Sequence, residues 1–301
     1  MNKHTSDNVP PASLLGLTSG LTAFLIWGLS PIYWKELRQV PALEVILHRI
    51  VWSFLFLMPI IILRGRWKEF LATIRNPKAC AILMATALFV SINWLIYIWA
   101  VTNDHLLQAS LGYYINPLVN VLLGMLFLKE RFRHLQTLSL IIAAGGVLYL
   151  TLYFGQFPWI SLILAFSFGF YGLIRKMVAV ASLVGLAIET LMLSVPAGIT
   201  LVVLYTNRTG VFLQTDTRTD LFLLGASVVT AIPLLLFTIS ARQLKLSTVG
   251  FMQYLAPTCM FLLGIFVYHE PFAMAQVITF ILIWIALALY SIDSILYYRR
   301  S

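Results

Sequence analysis

Charge is what this sequence has least of. Of 301 residues only 10% are Asp, Glu, Lys or Arg, against 60% apolar, whereas a soluble globule carries about 25% charge. Mean hydropathy is +0.92. Too little polar surface exists to face water, which excludes a soluble domain and points to a chain dissolved in lipid. Cysteine is nearly absent: Cys80 and Cys259 stand alone in apolar surroundings, so no disulfide framework or zinc-ligand spacing can be built from them. The five histidines, His4, His48, His105, His134 and His269, are scattered, four of them in loops or the tail. The sequence offers no nucleophile motif, no metal cluster and no phosphate-cradling loop. An enzyme would have no reactive group to work with, and no cofactor or metal is expected. No ATPase domain is present, which excludes primary pumping within this chain. No cleavable targeting segment precedes the first apolar stretch, so residues 1–13 read as a short mobile cytoplasmic tail.

What the sequence does have is long apolar runs. A membrane-spanning helix needs about 20 mainly apolar residues, and ten segments qualify: 14–34, 43–63, 79–101, 107–128, 135–154, 157–174, 184–205, 221–241, 247–268 and 273–296. Connections are short except around 206–220. The expected fold is an all-α membrane protein of ten transmembrane helices.

Its few cations are unevenly placed. With the N-terminus in the cytoplasm, the cytoplasmic segments hold fifteen Lys and Arg, including Arg64, Arg131, Lys176 and Arg242, and the outer loops hold four, Lys35, Arg38, Arg208 and Arg218. Arg49, inside a span, is the twentieth. An excess of basic residues marks the cytoplasmic side, so both termini, including residues 298–301, are expected there. The same placement accounts for the net charge of +9 without a nucleic-acid partner.

One stretch occurs twice. Aligned at an offset of 140, Tyr114–Gln136 and Tyr254–Gln276 share eight of twenty-three positions, in the frame Pro-x6-Gly-x5-Glu-x5-Gln; chance in so apolar a composition would give roughly two or three. At the same offset Asn93–Val101 falls on Pro233–Ala241. Spans 1 and 6 match more loosely through Trp27-Gly28-Leu29 and Tyr171-Gly172-Leu173, and spans 2 and 7 through Leu43-Glu44 and the run containing Glu189. This divides the chain into repeats at 14–154 and 155–297. Five spans per repeat is odd, so the second must enter the membrane inverted, the arrangement of transporters with a midplane site between halves.

Candidate functional residues are the polar groups at membrane depth. Pro117 and Pro257 free the carbonyls of Tyr113 and Gln253, which makes them either ordinary kinks or a pair of hinges beside a substrate path. Gly124 and Gly264 read as small residues permitting close helix approach, and Glu130 and Glu270 as caps on the helices that follow them. Tyr113, Asn116 and Asn120 share one helical face, and Asn93 and Tyr97 another. These faces point inward, either to bond neighbouring helices or to touch a ligand. The candidate binding set is Asn93, Tyr97, Tyr113, Asn116, Gln253 and Tyr254. Trp34 and Trp99, near helix ends, read as interfacial anchors. Glu44, His48 and Arg49 form a charged group in span 2, either a self-contained pair reaching the interface or part of a coupling site. Glu189 could pair with Arg175, Lys176 or Arg49.

These features resemble the EamA family of drug/metabolite transporters: ten spans, five plus five, with Glu-x5-Gln after spans 4 and 9. WGLSPIYWK at 27–35, EVILHRIVWS at 44–53, SLGYYINPLVNVLLG at 110–124 and PWISLILAFSFGFYGLIRK at 158–176 resemble its RarD branch. The resemblance covers nearly the whole chain. It implies inner-membrane transport, often export, of small metabolites by alternating access. The expected partners are a small organic substrate, a candidate coupling ion and the bilayer. The rival class is a membrane sensor or assembly factor that keeps the fold without transporting.

Overall fold

The structure, a computed structural model, describes residues 13–102, 106–155, 158–268 and 273–300. Lipid offers backbone groups no partner, so each span must close its own hydrogen bonds as a helix, and among the described residues there is no strand. The helices are α1 (Leu14–Glu36), α2 (Ala42–Leu63), α3 (Trp67–Ile74), α4 (Pro77–Thr102), α5 (Leu106–Leu128), α6 (His134–Phe154), α7 (Trp159–Met177), α8 (Ser182–Thr206), α9 (Thr217–Gln243), α10 (Leu246–Gln253), α11 (Leu255–Phe266) and α12 (Met274–Arg300). Ten are long and apolar enough to cross a membrane, α10 and α11 together making the ninth. The chain is therefore a multi-pass membrane protein.

Two elements depart from the expected ten. Helix α3 occupies what reads as a basic loop; at eight residues it is too short to span, and it buries Phe70 against the bundle. The ninth span is interrupted at Tyr254, whose N–H turns back to the Phe251 carbonyl at 3.3 Å. The break falls where Pro257 withholds an N–H from the Gln253 carbonyl. Pro117 has no such effect, and α5 runs through it unbroken.

The main helix contacts share a pattern. The extensively packed pairs are α5 with α7, α1 with α9, α6 with α12, α2 with α8 and α9, α5 with α10, α4 with α7 and α8, and α1 with α11. Number the ten spans in order and replace each by the one five places away: each of these pairs maps onto itself or onto another of them, whereas the next pair, α7 with α9, has no comparably packed counterpart between α1 and α4. Outward surfaces are apolar, as at Leu25, Leu29 and Ile32 on α1, while Ser19, Ser30, Thr86, Asn116 and Asn120 are buried.

The turn after α5 gives the repeated frame its physical meaning. A Cβ on Gly124 would stand 2.8 Å from the Glu130 carboxylate, so this glycine makes room for a folded-back side chain rather than for a neighbouring helix. Lys129 adopts a left-handed φ of 54° to reverse the chain, and the Glu130 N–H donates to the Gly124 carbonyl at 3.1 Å. The Glu130 carboxylate then accepts from the N–H groups of Leu246 and Ser247 at 2.6 and 3.0 Å. It caps α10, not the next helix as expected. Helix α6 is capped by Gln136, which accepts from the Arg133 N–H at 3.2 Å, and its counterpart Gln276 accepts from the Ala273 N–H at 2.9 Å. Glu270 and Gly264's side of the comparison stay open, because Glu270 lies outside the described residues and Gly264 has no described surroundings.

Candidate functional site

Helix α2 brings three polar side chains to different neighbours. Glu44 sits in its first turn, where a carboxylate suits the helix dipole. It accepts from the backbone N–H groups of Val211 and Phe212 at 2.7 and 3.2 Å, pinning the α8–α9 loop. His48, one turn on, lies 3.9 Å from the same carboxylate, and its Nδ1 accepts from Trp52 Nε1 at 2.9 Å. Its proton therefore sits on Nε2. The Phe212 ring closes over the imidazole at 4.6 Å.

Arg49 goes elsewhere. Five residues along an α-helix is a rotation of about 140° from Glu44, so the carboxylate meets His48 and not Arg49. The guanidinium lies over the Trp34 ring at 4.6 Å and the Trp94 ring at 5.0 Å, and Nε donates to Thr230 Oγ1 at 2.8 Å. Among the described residues no carboxylate pairs with it. Part of the Arg49 surface stays accessible. Tyr97 and Tyr113 share that condition. Their rings meet edge-on at 5.9 Å, and both lie within electrostatic reach of Arg49. Trp34 is thus a wall of this cluster rather than a simple interfacial anchor. Trp99, 38% exposed beside Trp159, fits the anchoring role.

The other candidates divide by whether a neighbour already engages them. Asn93 donates to the Leu164 carbonyl at 2.8 Å and to Ser167 Oγ at 3.0 Å, bonding α4 to α7. Gln253 Oε1 accepts from Asn120 at 2.7 Å, and the Tyr254 hydroxyl donates to the Tyr114 carbonyl at 3.2 Å. Asn116 is buried, and its Oδ1 has no hydrogen-bond partner among the described residues.

Glu189 takes one of the three partners open to it. It pairs with Arg175 at 3.5 Å, both side chains almost fully buried. Thr86 donates to one carboxylate oxygen at 2.5 Å and Tyr171 to the other at 3.3 Å. Arg175 also donates to the Ser182 carbonyl at 3.1 Å, while its Nε and Nη1 have no hydrogen-bond partner among the described residues. This cluster ties α4, α7 and α8 together in the half of the bundle nearer the termini; Arg49 lies in the other half. Thr86, Thr230 and Trp52 carry no sequence signal, being ordinary residues of apolar spans. The signal that was available is the charged group Glu44–His48–Arg49, set inside an apolar span. No group of His, Cys, Asp and Glu among the described residues could hold a metal ion.

Known proteins place this architecture. The profile of the EamA-like transporter family matches residues 14–152. Protein RarD of Salmonella typhi is 46% identical over 286 residues, 95% of this chain and 97% of that protein. An uncharacterized transporter of Vibrio cholerae serotype O1 is 46% identical over 280 residues, 93% of each chain. A solved crystal structure superposes with a TM-score of 0.70 at 19% identity, covering 93% of this chain and 98% of that one, a likeness of fold alone. The ten-span helical bundle is that of a membrane transporter of the drug/metabolite class. The chain belongs to the EamA-like transporter family, in its RarD-like branch.

Proposed function

We propose that the protein is a secondary transporter that exports small organic metabolites or drugs across the bacterial inner membrane, with both termini cytoplasmic. The observation that carries this reading is the packing pattern: exchanging spans five apart leaves the extensively packed helix pairs unchanged. Two equivalent halves, 14–154 and 155–297, are what alternating access uses, since one arrangement seals one face and its mirror seals the other.

Each face has contacts suited to that exchange. On the side of the termini, Glu130 caps α10, Lys176 reaches the carbonyls of Ala241 and Leu244, and Arg242 reaches those of Val178 and Val180. On the opposite side Tyr33 bonds the Phe222 carbonyl, Glu44 holds the 211–212 backbone and Arg218 pairs with Glu36. The binding region lies between, bounded by Arg49, Tyr97 and Tyr113 and continuing to Asn116 deeper along α5.

Comparing metabolites inside and outside cells that carry or lack the protein tests the reading. Solutes retained in its absence should be carried by purified protein in liposomes. No difference in cells and no flux in liposomes would leave a sensor or assembly factor on the same fold.

A further inference from the structure

The transport reading leaves the substrate class open, and Arg49 bears on it. A permanent cation at membrane depth is costly to bury and is ordinarily matched by a carboxylate. Arg175, whose guanidinium is fully buried, has one, Glu189. Arg49 has none among the described residues, and neither Nη1 nor Nη2 makes a hydrogen bond. Its charge is sustained instead by the faces of Trp34 and Trp94, at 4.6 and 5.0 Å. Aromatic faces attract a cation without consuming its N–H groups. Thr230 takes only Nε. The two terminal nitrogens are thus left without a hydrogen-bond partner among the described residues, in the fork geometry that matches a carboxylate.

We propose, on the basis of the transport reading, that Arg49 is the recognition site for the carboxylate of an amphipathic organic acid. Its apolar or aromatic body packs on Trp94 and the Tyr97–Tyr113 pair. One guanidinium with no second cation beside it balances a single negative charge, so a monocarboxylate fits and a phosphate dianion does not. The site lies about 10 Å along α2 from the helix start at Ala42, by rise per residue. Substrate would therefore meet it from the face opposite the termini or pass it on the way there.

The test is equilibrium binding to the purified full chain in detergent, followed by tryptophan fluorescence. The probes are phenylacetate and indole-3-acetate, each set against its neutral amide. Wild type should bind each acid at least tenfold more tightly than its amide. Arg49→Gln should lower acid binding far more than amide binding, so that the acid-to-amide ratio falls to about one, and Arg49→Lys should restore part of the discrimination. Arg49→Lys is the deciding variant if Arg49→Gln does not fold. Acid and amide binding alike, no binding of any probe to wild type, or discrimination that survives both substitutions would overturn the assignment. A purely structural role, bonding α2 to α9 through Thr230, would lower thermal stability in the variants without changing the acid-to-amide ratio. Because binding in detergent needs no flux, the two readings fail separately. Arg49-dependent binding without liposome transport sinks the transporter reading; transport of solutes indifferent to Arg49 sinks the carboxylate site.

Discussion

Tyr254 donates its hydroxyl to the backbone carbonyl of Tyr114 at 3.2 Å, and these two residues are counterparts in the repeated stretch, 140 positions apart. The bond joins the two spans that carry the repeated prolines, three residues before each of them. On one side the helix is broken, between α10 and α11; on the other α5 is continuous. Gly250 of α10 meets the Pro117 carbonyl so closely that a Cβ there would stand 2.7 Å away.

This asymmetry shapes the first prediction. Pro257→Ala returns an N–H to the Gln253 carbonyl and lets the ninth span close into one helix. Pro117→Ala adds an N–H to a helix that is already continuous. Both variants should insert and accumulate like the parent while transport falls, and Pro257→Ala should fall further. Liposome flux measured against membrane abundance checks this. Parental flux in both would make the prolines packing features.

The buried ion pair supports a second. Glu189→Ala leaves Arg175 charged and unmatched, which should cost about 3–5 kcal/mol. Replacing both partners, Arg175→Met with Glu189→Leu, should recover most of that loss, because neither charge then remains to be solvated. Thermal unfolding in detergent separates the cases. A Glu189→Ala protein as stable as the parent would show that the pair contributes nothing to holding α4, α7 and α8 together.

A third prediction rests on the Glu130 cap. Its carboxylate satisfies two N–H groups at the start of α10, so Glu130→Ala should cost about 1–2 kcal/mol, from cap and dipole together. Glu130→Gln should cost less, since its amide oxygen can still accept. Gly124→Ala should mimic Glu130→Ala by displacing the carboxylate. Melting temperatures of the three variants are the measurement, and a Gly124→Ala protein that melts with the parent would contradict the proposed geometry.

How much of this was legible in the sequence follows from the range of each interaction. The ten spans were, because a span is set by some twenty consecutive residues and lipid overrides finer preferences. The inward direction of Asn93, Tyr97, Asn116 and Asn120 was, because helical periodicity is local. What Glu130 caps was not, since Leu246 is 116 residues away and nothing near Glu130 names it. Gly124 shows the same limit: the glycine was visible and its repetition was visible, yet a gap for a helix and a gap for a carboxylate look identical in sequence. Glu189 had three basic candidates, and only packing selects Arg175. Arg49 was visible as part of a charged group with Glu44 and His48, but its tryptophan walls come from α1 and α4, which only the tertiary fold brings to α2.

The fourth prediction concerns orientation. With fifteen basic residues on one side and four on the other, the termini and the turn at Arg66 should face the cytoplasm, and the α8–α9 loop the outside. In a background lacking Cys80 and Cys259, a cysteine at Leu213, 66% exposed, should react with an impermeant reagent added to intact cells. One at Arg66 should react only after the membrane is opened. The reverse pattern would invert the whole bundle, and with it the side from which substrate meets Arg49.

The last prediction separates two asparagines on the same face of α5. Asn120 is engaged through its amide nitrogen, which donates to Gln253 at 2.7 Å, although its Oδ1, like that of Asn116, has no hydrogen-bond partner among the described residues. Asn120→Leu strands the Gln253 oxygen and should cost about 1–3 kcal/mol of stability. Ligand binding should change little. Asn116 is buried with an unpartnered Oδ1, so Asn116→Leu removes a polar group that no neighbour satisfies and should be tolerated or even stabilising. If that oxygen is held for the substrate, the same change should weaken phenylacetate binding roughly tenfold, equivalent to about 1.4 kcal/mol. Thermal unfolding and fluorescence titration on both variants give four numbers. The expected pattern is stability lost at 120 and affinity lost at 116. Affinity lost only at 120 would move the binding region deeper, to the Asn120–Gln253 contact, and away from the polar face that Asn116 shares with Tyr113.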